Sequence, residues 1–279
     1  MKILITGAKG MLAQAVKEKF QEEELILTDA QELDITNENN VMQKIKEARP
    51  EYIINCAAYT AVDKAEEEYD LAEKINCLGV ENLAKAAKEI GSILVHISTD
   101  YVFNGELETT QVYTETSATD PVTVYGITKL HGEEKIIEQN IPYYIFRTAW
   151  LYGEGNNFVR TMLKLGKEKE EVNVVCDQHG SPTYTEDLAS IIYEAIHKKI
   201  PYGIYHATNL GYTTWYDFTK EIFKQAGISC KVNAVTSEEF VRPAKRPKNS
   251  MLSKDKLLVQ GITIPMWQEA LSRYLKKEL

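Results

Sequence analysis

The amino-terminal stretch Lys2-Ile3-Leu4-Ile5-Thr6-Gly7-Ala8-Lys9-Gly10-Met11-Leu12-Ala13 constrains the fold of this 279-residue chain more than any other. Lys2 to Thr6 is a short apolar, β-branched run that reads as a buried strand. Met11 to Phe20 then repeats Leu12, Val16 and Phe20 at helical spacing. Between the two, Gly7 permits a tight turn and Gly10 lets backbone approach a pyrophosphate, while Ala13 stands where G-x-x-G-x-x-G would place its third glycine. The helix start adds unpaired N–H groups and a partial positive charge that favour phosphate. A glycine turn between a strand and a helix is the context in which such a fingerprint predicts a dinucleotide site.

The alternation continues. Leu25 to Thr28 and Tyr52 to Ala57 read as strands, and Asn37 to Glu47 as a helix with Val41, Ile45 and Ala48 inward. Asp70 to Ile90 reads as one helix or two in series, Ile93 to Ile97 as a strand, Tyr125 to Gln139 as a helix and Tyr143 to Arg147 as a strand. Strands that alternate with helices of ten or more residues imply a parallel sheet, because parallel strands need crossover connections. The expected class is α/β, with a Rossmann-type doubly wound parallel sheet forming a dinucleotide-binding domain over residues 1–150. Residues 151–279 are less regular: helices over Asn157 to Lys169, Glu186 to Lys198, Thr214 to Gln225 and from Met266, with strands at Val172 to Val175 and Ile204 to Ala207. This part is expected to be a smaller α/β substrate-binding portion, some segments of which can return to the first domain.

Composition excludes several partners. With 41 acidic against 32 basic residues and a formal charge of −9, binding to nucleic acid through phosphates is not expected. No apolar run reaches the ~18 residues of a membrane helix, so a cytoplasmic protein without a membrane partner is expected. The four cysteines form no C-x-x-C pair and read as free thiols, and the five histidines show no metal-ligand spacing, so no metal is expected. His96, inside the apolar run Ser92 to Ile97, reads as a core histidine without a role. Arg242-Pro-Ala-Lys-Arg-Pro-Lys-Asn is the one basic, proline-marked loop, either solvated or a lid that meets an anion.

Tyr125 and Lys129 lie one helical turn apart and share a face. Thr99 follows a strand whose carboxyl end should line the ligand crevice. The trio suits carbonyl reduction, in which a hydride reaches carbon while a proton reaches the developing alkoxide. A free tyrosine, with a pKa near 10, is a weak acid for this work at neutral pH. An ammonium at about 4.5 Å and an effective dielectric near 20 stabilises the phenolate by roughly 3 to 4 kcal/mol, or two to three pKa units. Lys129 is expected to acidify Tyr125 in this way and to bind the nicotinamide ribose, while the Thr99 hydroxyl orients the ketone.

These residues resemble the extended short-chain dehydrogenase/reductases, and most closely the dTDP-4-dehydrorhamnose reductases. The resemblance rests on Asn55-Cys-Ala-Ala-Tyr-Thr-Ala-Val-Asp-Lys-Ala-Glu66, Ser98-Thr-Asp-Tyr-Val-Phe103, Tyr125-Gly-Ile-Thr-Lys129, Phe146-Arg-Thr-Ala-Trp150, Gly155-Asn-Asn-Phe158, Asp177-Gln-His-Gly-Ser-Pro-Thr183 and Arg246-Pro-Lys-Asn-Ser250, in that order across nearly the whole chain. It implies reduction of a dTDP-4-keto-6-deoxyhexose, with Gly10, Met11, Leu12, Asp29, Asp34, Ile35, Ala58, Tyr59, Thr60 and Ile97 lining the dinucleotide. It also implies that Thr99, Asp100 and Trp150 meet the sugar nucleotide, with Asn156, Asn157, Arg242 and Arg246 as further contacts. Asp29, about 20 residues past the glycines, suits ribose hydroxyls and hence NAD(H), whereas Lys9 could accept a 2′-phosphate. Because the family takes NADPH and often NADH, the resemblance implies NADP(H), with NAD(H) accepted.

Two departures bear on these expectations. Ala13 replaces the third glycine, which a packing role tolerates. Gln14 stands where some family members carry an acidic residue of a magnesium-linked dimer, so a monomer or an unbridged homodimer is expected. The related 4,6-dehydratases carry Thr-Asp-Glu at the strand end, and this chain has Thr99-Asp100-Tyr101, lacking the carboxylate that would abstract a proton beside the ketone. The other alternative, a non-catalytic dinucleotide-binding regulatory subunit, would not require Thr99, Tyr125 and Lys129 together.

Overall fold

Successive side chains of a strand part to opposite faces, and in β1 (Lys2–Thr6) this sends Ile3 and Ile5 into one core and Leu4 into another. The computed structural model describes residues 1–279. In β3 (Tyr52–Asn55), β4 (Ile93–Thr99) and β5 (Tyr143–Thr148) the same parting holds: Ile54, Val95, Tyr144 and Phe146 join Ile3 and Ile5, while Ile53, Leu94 and Ile145 join Leu4. Burial on both faces is why these strands read as unbroken apolar runs.

The central sheet has six parallel strands in the order Gly203–His206, β5, β4, β3, β1, β2, with β2 at Glu24–Leu27. Helices Met11–Lys19 and Thr185–His197 cover one face, and Glu38–Ala48 and Gly79–Ile90 cover the other. The strand Gly203–His206 and the helix Thr185–His197 thus belong to the first domain's sheet and core, although they lie beyond residue 150. Three further carboxy-terminal helices, Phe158–Glu168, Trp215–Ala226 and Trp267–Glu278, enclose a separate core with the strand Glu171–Val175, whereas Leu257 of the short helix Asp255–Val259 joins the sheet's core. That strand pairs in parallel with Lys231–Val235, a strand the sequence pattern did not indicate.

Several expected elements differ in extent, and β3 ends at Asn55, two residues before the expected Ala57. Asp70 to Ile90 resolves into helix Tyr69–Glu73, a π-helical turn Lys74–Leu78 and helix Gly79–Ile90. β4 runs two residues further than expected, so Thr99 is its last residue.

The chain leaves β1 for β2 on one side and reaches β3 on the other, which places the topological switch between β1 and β3, where doubly wound sheets open a crevice. Gly7 turns the chain there with φ of +62°, and a Cβ on it would lie 2.9 Å from the Ala57 backbone beyond β3. Helix Val124–Glu138, which carries Tyr125 and Lys129, approaches its neighbours just as closely. Cβ atoms on Gly126 and Gly132 would fall 2.2 Å from the carbonyl oxygens of Tyr101 and Asn76.

Candidate active site

Asn55 ties the strand ends together at the crevice. Its Oδ1 accepts from Thr6 Oγ1 at 2.6 Å and from the Ala57 N–H at 3.1 Å. Asn76 Oδ1 accepts from the Tyr59 N–H at 2.9 Å, and its Nδ2 donates to the Tyr59 carbonyl and to Thr128 Oγ1, both at 3.1 Å, which joins the loop after β3 to the helix Val124–Glu138. A buried pair anchors the far end of that helix: Arg147 on β5 meets Glu133 through three contacts of 2.6 to 3.2 Å, both side chains being at most 3% exposed.

The crevice holds a cavity of about 430 Å³ whose walls include Gly10, Met11, Leu12, Ala58, Thr60, Ile97, Thr99, Asp100, Tyr125, Lys129 and Trp150. A larger cavity of about 850 Å³ adjoins it, since Tyr101 and Trp150 line both. Arg242 and Arg246 line the larger one, with Phe158, Gln178 and Trp215. Trp150, at a left-handed φ of +48°, stacks on Trp215 with ring centroids 3.7 Å apart. Gly180 also packs on it, where a Cβ would lie 2.6 Å from the ring.

Several expected residues lie outside these walls. Asp29, just past β2, pairs with Lys9 at 3.3 Å, so the two side chains that argue for opposite cofactors face each other. Asp34 Oδ1 accepts from the Thr36 N–H and hydroxyl in a local turn, and Ile35 is buried against Gly79. The Tyr59 hydroxyl donates to Glu68. Asn157 is the cap of the helix Phe158–Glu168: it accepts from the Arg160 N–H at 3.1 Å and donates to the Gly153 carbonyl at 2.6 Å, while its neighbour Asn156 is exposed. Gln14 donates to the Ala8 carbonyl at 2.5 Å. Within the lining of the larger cavity, by contrast, Arg246 pairs with Asp63 at 2.9 Å, and Arg242 lies over the Phe240 ring.

The expected ion pair of Tyr125 and Lys129 is corrected. Lys129 Nζ donates to the Ile97 carbonyl at 2.6 Å and lies 3.2 Å from His96 Nε2. Helical spacing brings two Cβ atoms together, but the partners the ammonium has are the Ile97 carbonyl and His96 and not the phenol. Burial therefore dominates the phenol and pushes it up to about 12, with hydrogen bonding from Thr99 opposing and Asp100 adding to the rise. Burial also lowers the Lys129 ammonium to about 8, against the pull of Glu133 and Cys56, and raises Asp100 to about 6. Thr99 Oγ1 donates to Asp100 Oδ1 at 3.0 Å and accepts from the Tyr101 N–H at 3.2 Å.

Tyr101, Trp215, Phe158 and Gln178 were missed. Tyr101 sits inside the Ser98–Phe103 motif and packs edge-on to Tyr125 at 5.5 Å, so adjacency was a signal. Trp215 lies 65 positions from the Trp150 it stacks on, and no local pattern points to it. Elsewhere, Glu73, Cys77 and His131 come together, with His131 Nδ1 3.0 Å from each Glu73 oxygen, an ion-pair geometry that needs no metal.

A family model described as the RmlD substrate binding domain matches residues 1–279. A dTDP-4-dehydrorhamnose reductase of Escherichia coli (strain K12) is 43% identical over 258 residues, covering 88% of this chain and 85% of that one. The chain belongs to the dTDP-4-dehydrorhamnose reductase family. Two solved dTDP-4-dehydrorhamnose reductases share its fold. That from Clostridium acetobutylicum is 50% identical with a TM-score of 0.97, covering 100% of this chain and 99% of that one. That from Bacillus anthracis, solved in complex with NADP, is 44% identical with a TM-score of 0.95, covering 99% and 100%.

The crevice of this family member fits a dinucleotide on its own geometry. Gly10 lines the cavity and opens the helix Met11–Lys19, and no side chain caps that helix, which leaves its first N–H groups free for phosphate. Ser98 Oγ, Asp100 Oδ2 and Thr148 Oγ1 are buried without partners in residues that line the cavity, and such atoms call for a polar ligand.

Proposed function

We propose that this protein reduces the C4 ketone of dTDP-4-dehydro-L-rhamnose to dTDP-L-rhamnose, using NADPH and accepting NADH, in dTDP-rhamnose biosynthesis. One observation carries the reading: Thr99, Asp100, Tyr125 and Lys129 line one crevice behind a glycine turn, and an aromatic cleft adjoins it. The names of the relatives supply the sugar nucleotide, and the NADP complex of one of them supplies the cofactor.

The reduced nicotinamide, when bound, supplies the hydride. Gly10, Met11, Leu12, Ala58, Thr60 and Ile97 hold the dinucleotide, with Asp29, Asp34, Ile35 and Tyr59 shaping the ribose end. Thr99 Oγ1, placed at the crevice as the last residue of β4, orients the ketone oxygen. Tyr125 is protonated across the working pH range, as a proton donor must be, and gives its proton to the developing alkoxide. A charged Lys129 brought to the phenol stabilises the phenolate that remains. Trp150, fixed by stacking on Trp215, lines both cavities and meets the nucleobase or sugar, and Arg242 and Arg246 meet the diphosphate. Tyr101 stands where a dehydratase would need a base, and burial pushes its phenol above the ordinary range, so it abstracts no proton and reduction is the outcome.

The test is an assay of purified protein with NADPH and a dTDP-4-keto-6-deoxyhexose. Loss of the reduced-nicotinamide absorbance with formation of the 4-hydroxy sugar supports the reading. Intact dinucleotide binding without turnover would instead favour the regulatory subunit.

A further inference from the structure

His96 on β4 is 0% exposed and lines neither cavity, yet both of its ring nitrogens have polar partners. Asn55 determines how they are used. A backbone N–H can only donate, so the Ala57 N–H holds Asn55 Oδ1 in place and leaves Nδ2 facing His96 Nδ1 at 3.0 Å. Nδ1 is therefore an acceptor without a proton. The neutral ring then carries its proton on Nε2, 3.2 Å from Lys129 Nζ. Charging the ring would set an Nδ1–H against the Asn55 N–H, and burial together with Lys129 holds the imidazole well below its ordinary range.

The contact between Nε2–H and Lys129 Nζ discriminates between the two forms of the lysine. An ammonium offers only N–H groups, so donor meets donor. An amine accepts from Nε2–H through its lone pair while still donating to the Ile97 carbonyl at 2.6 Å. We propose that His96, held by Asn55 as its Nε2–H tautomer, is a positioning residue that docks Lys129 as the neutral amine and releases it as the ammonium toward Tyr125. Proton uptake by Lys129 and its arrival beside the phenol are then one event.

The inference rests on the reading of Tyr125 as proton donor and Lys129 as its partner. Its protons balance: Tyr125 loses one to the alkoxide, the ammonium restores it, and the amine returns to His96 and takes its next proton from solvent in the crevice. The other groups facing Lys129 are Tyr125 and Glu133 on its own helix and Cys56 after β3. Arg147 already engages Glu133, and burial pushes the Cys56 thiol up to about 12, so neither takes over the role of His96.

Two-bond 1H–15N spectra of the folded protein test the tautomer without any turnover. His96 is expected as neutral imidazole with its proton on Nε2 throughout about pH 6 to 9. A proton on Nδ1, or an imidazolium in that range, would overturn the proposal. In Asn55→Asp the amide donor becomes an acceptor, the ring proton moves to Nδ1, and Nε2 is left free to accept from the ammonium. The Nδ1–H resonance should then be seen, and the Lys129 Cε titration should rise by about one pH unit or more. The alkaline limb of kcat/KM should rise with it. A ring that keeps Nε2–H in this variant, or a Lys129 titration that stays or falls, would also overturn it. Because the spectra need no substrate, a protein that fails to reduce the keto sugar but shows this tautomer would sink the functional reading alone.

Discussion

The two cavities that meet at Tyr101 and Trp150 are built in different ways. The smaller is framed by backbone and short buried groups: a glycine turn packed on Ala57, an asparagine bridging β1 and β3, and strand register that sets Thr99 opposite Thr148. The larger is walled by long side chains from distant segments, among them Trp215, Phe158 and Arg246. A frame of backbone tolerates little change, whereas a wall of side chains can be rebuilt one residue at a time. The first should hold what all relatives of the fold share, and the second what distinguishes their substrates.

This contrast can be broken experimentally. Tyr125→Phe removes the proton donor from the backbone-framed cavity and should lower kcat by about 10² to 10⁴-fold with dinucleotide affinity unchanged. Steady-state kinetics and a binding titration check both halves, and a parallel loss of affinity would mean that the phenol holds the cofactor. Glu133→Ala leaves Arg147 buried and unpaired and should cost about 3 to 5 kcal/mol of stability by denaturant unfolding. Arg160→Ala breaks a partly exposed pair with Glu278 between two carboxy-terminal helices and should cost about 1 kcal/mol or less. If the two costs were equal, the claimed difference in rigidity would fail.

Asp100 sharpens the contrast through pH. Burial raises its pKa to about 6, so its contribution to stability is fully present below the ordinary carboxylate value and is lost as pH rises through about 6. Asp100→Asn should therefore stabilise the protein at pH 7.5 by on the order of 1 to 3 kcal/mol and have little effect near pH 4, read as Tm differences. Trp215→Ala should raise KM for the sugar nucleotide about tenfold, with cofactor affinity intact.

The same division governs what could be read from the chain alone. Strands buried on both faces appear as runs such as Lys2 to Thr6, and a glycine in a left-handed turn marks the end of β1, so the sheet and its glycine turn were legible. Lys231–Val235 was not, because its side chains are all at least partly exposed and alternate no clear apolar face. Asn157 illustrates a different ambiguity: a short amide before an apolar helix suits a cap as well as a sugar hydroxyl. Helical spacing placed Tyr125 and Lys129 on one face, but it says nothing about where a four-carbon stem ends. His96 looked inert because its partners, Asn55 and Lys129, are 41 and 33 positions away.

The close approach at Gly126 and Gly132 has a further consequence. Each glycine weakens a helix by about 1 kcal/mol relative to alanine, so two of them in fifteen residues leave Val124–Glu138 a poor helix by itself. Excised as a synthetic peptide, the segment would be a random coil in water. The reactive side chains acquire their spacing only when the surrounding protein imposes it, so chemistry and cooperative folding are lost together.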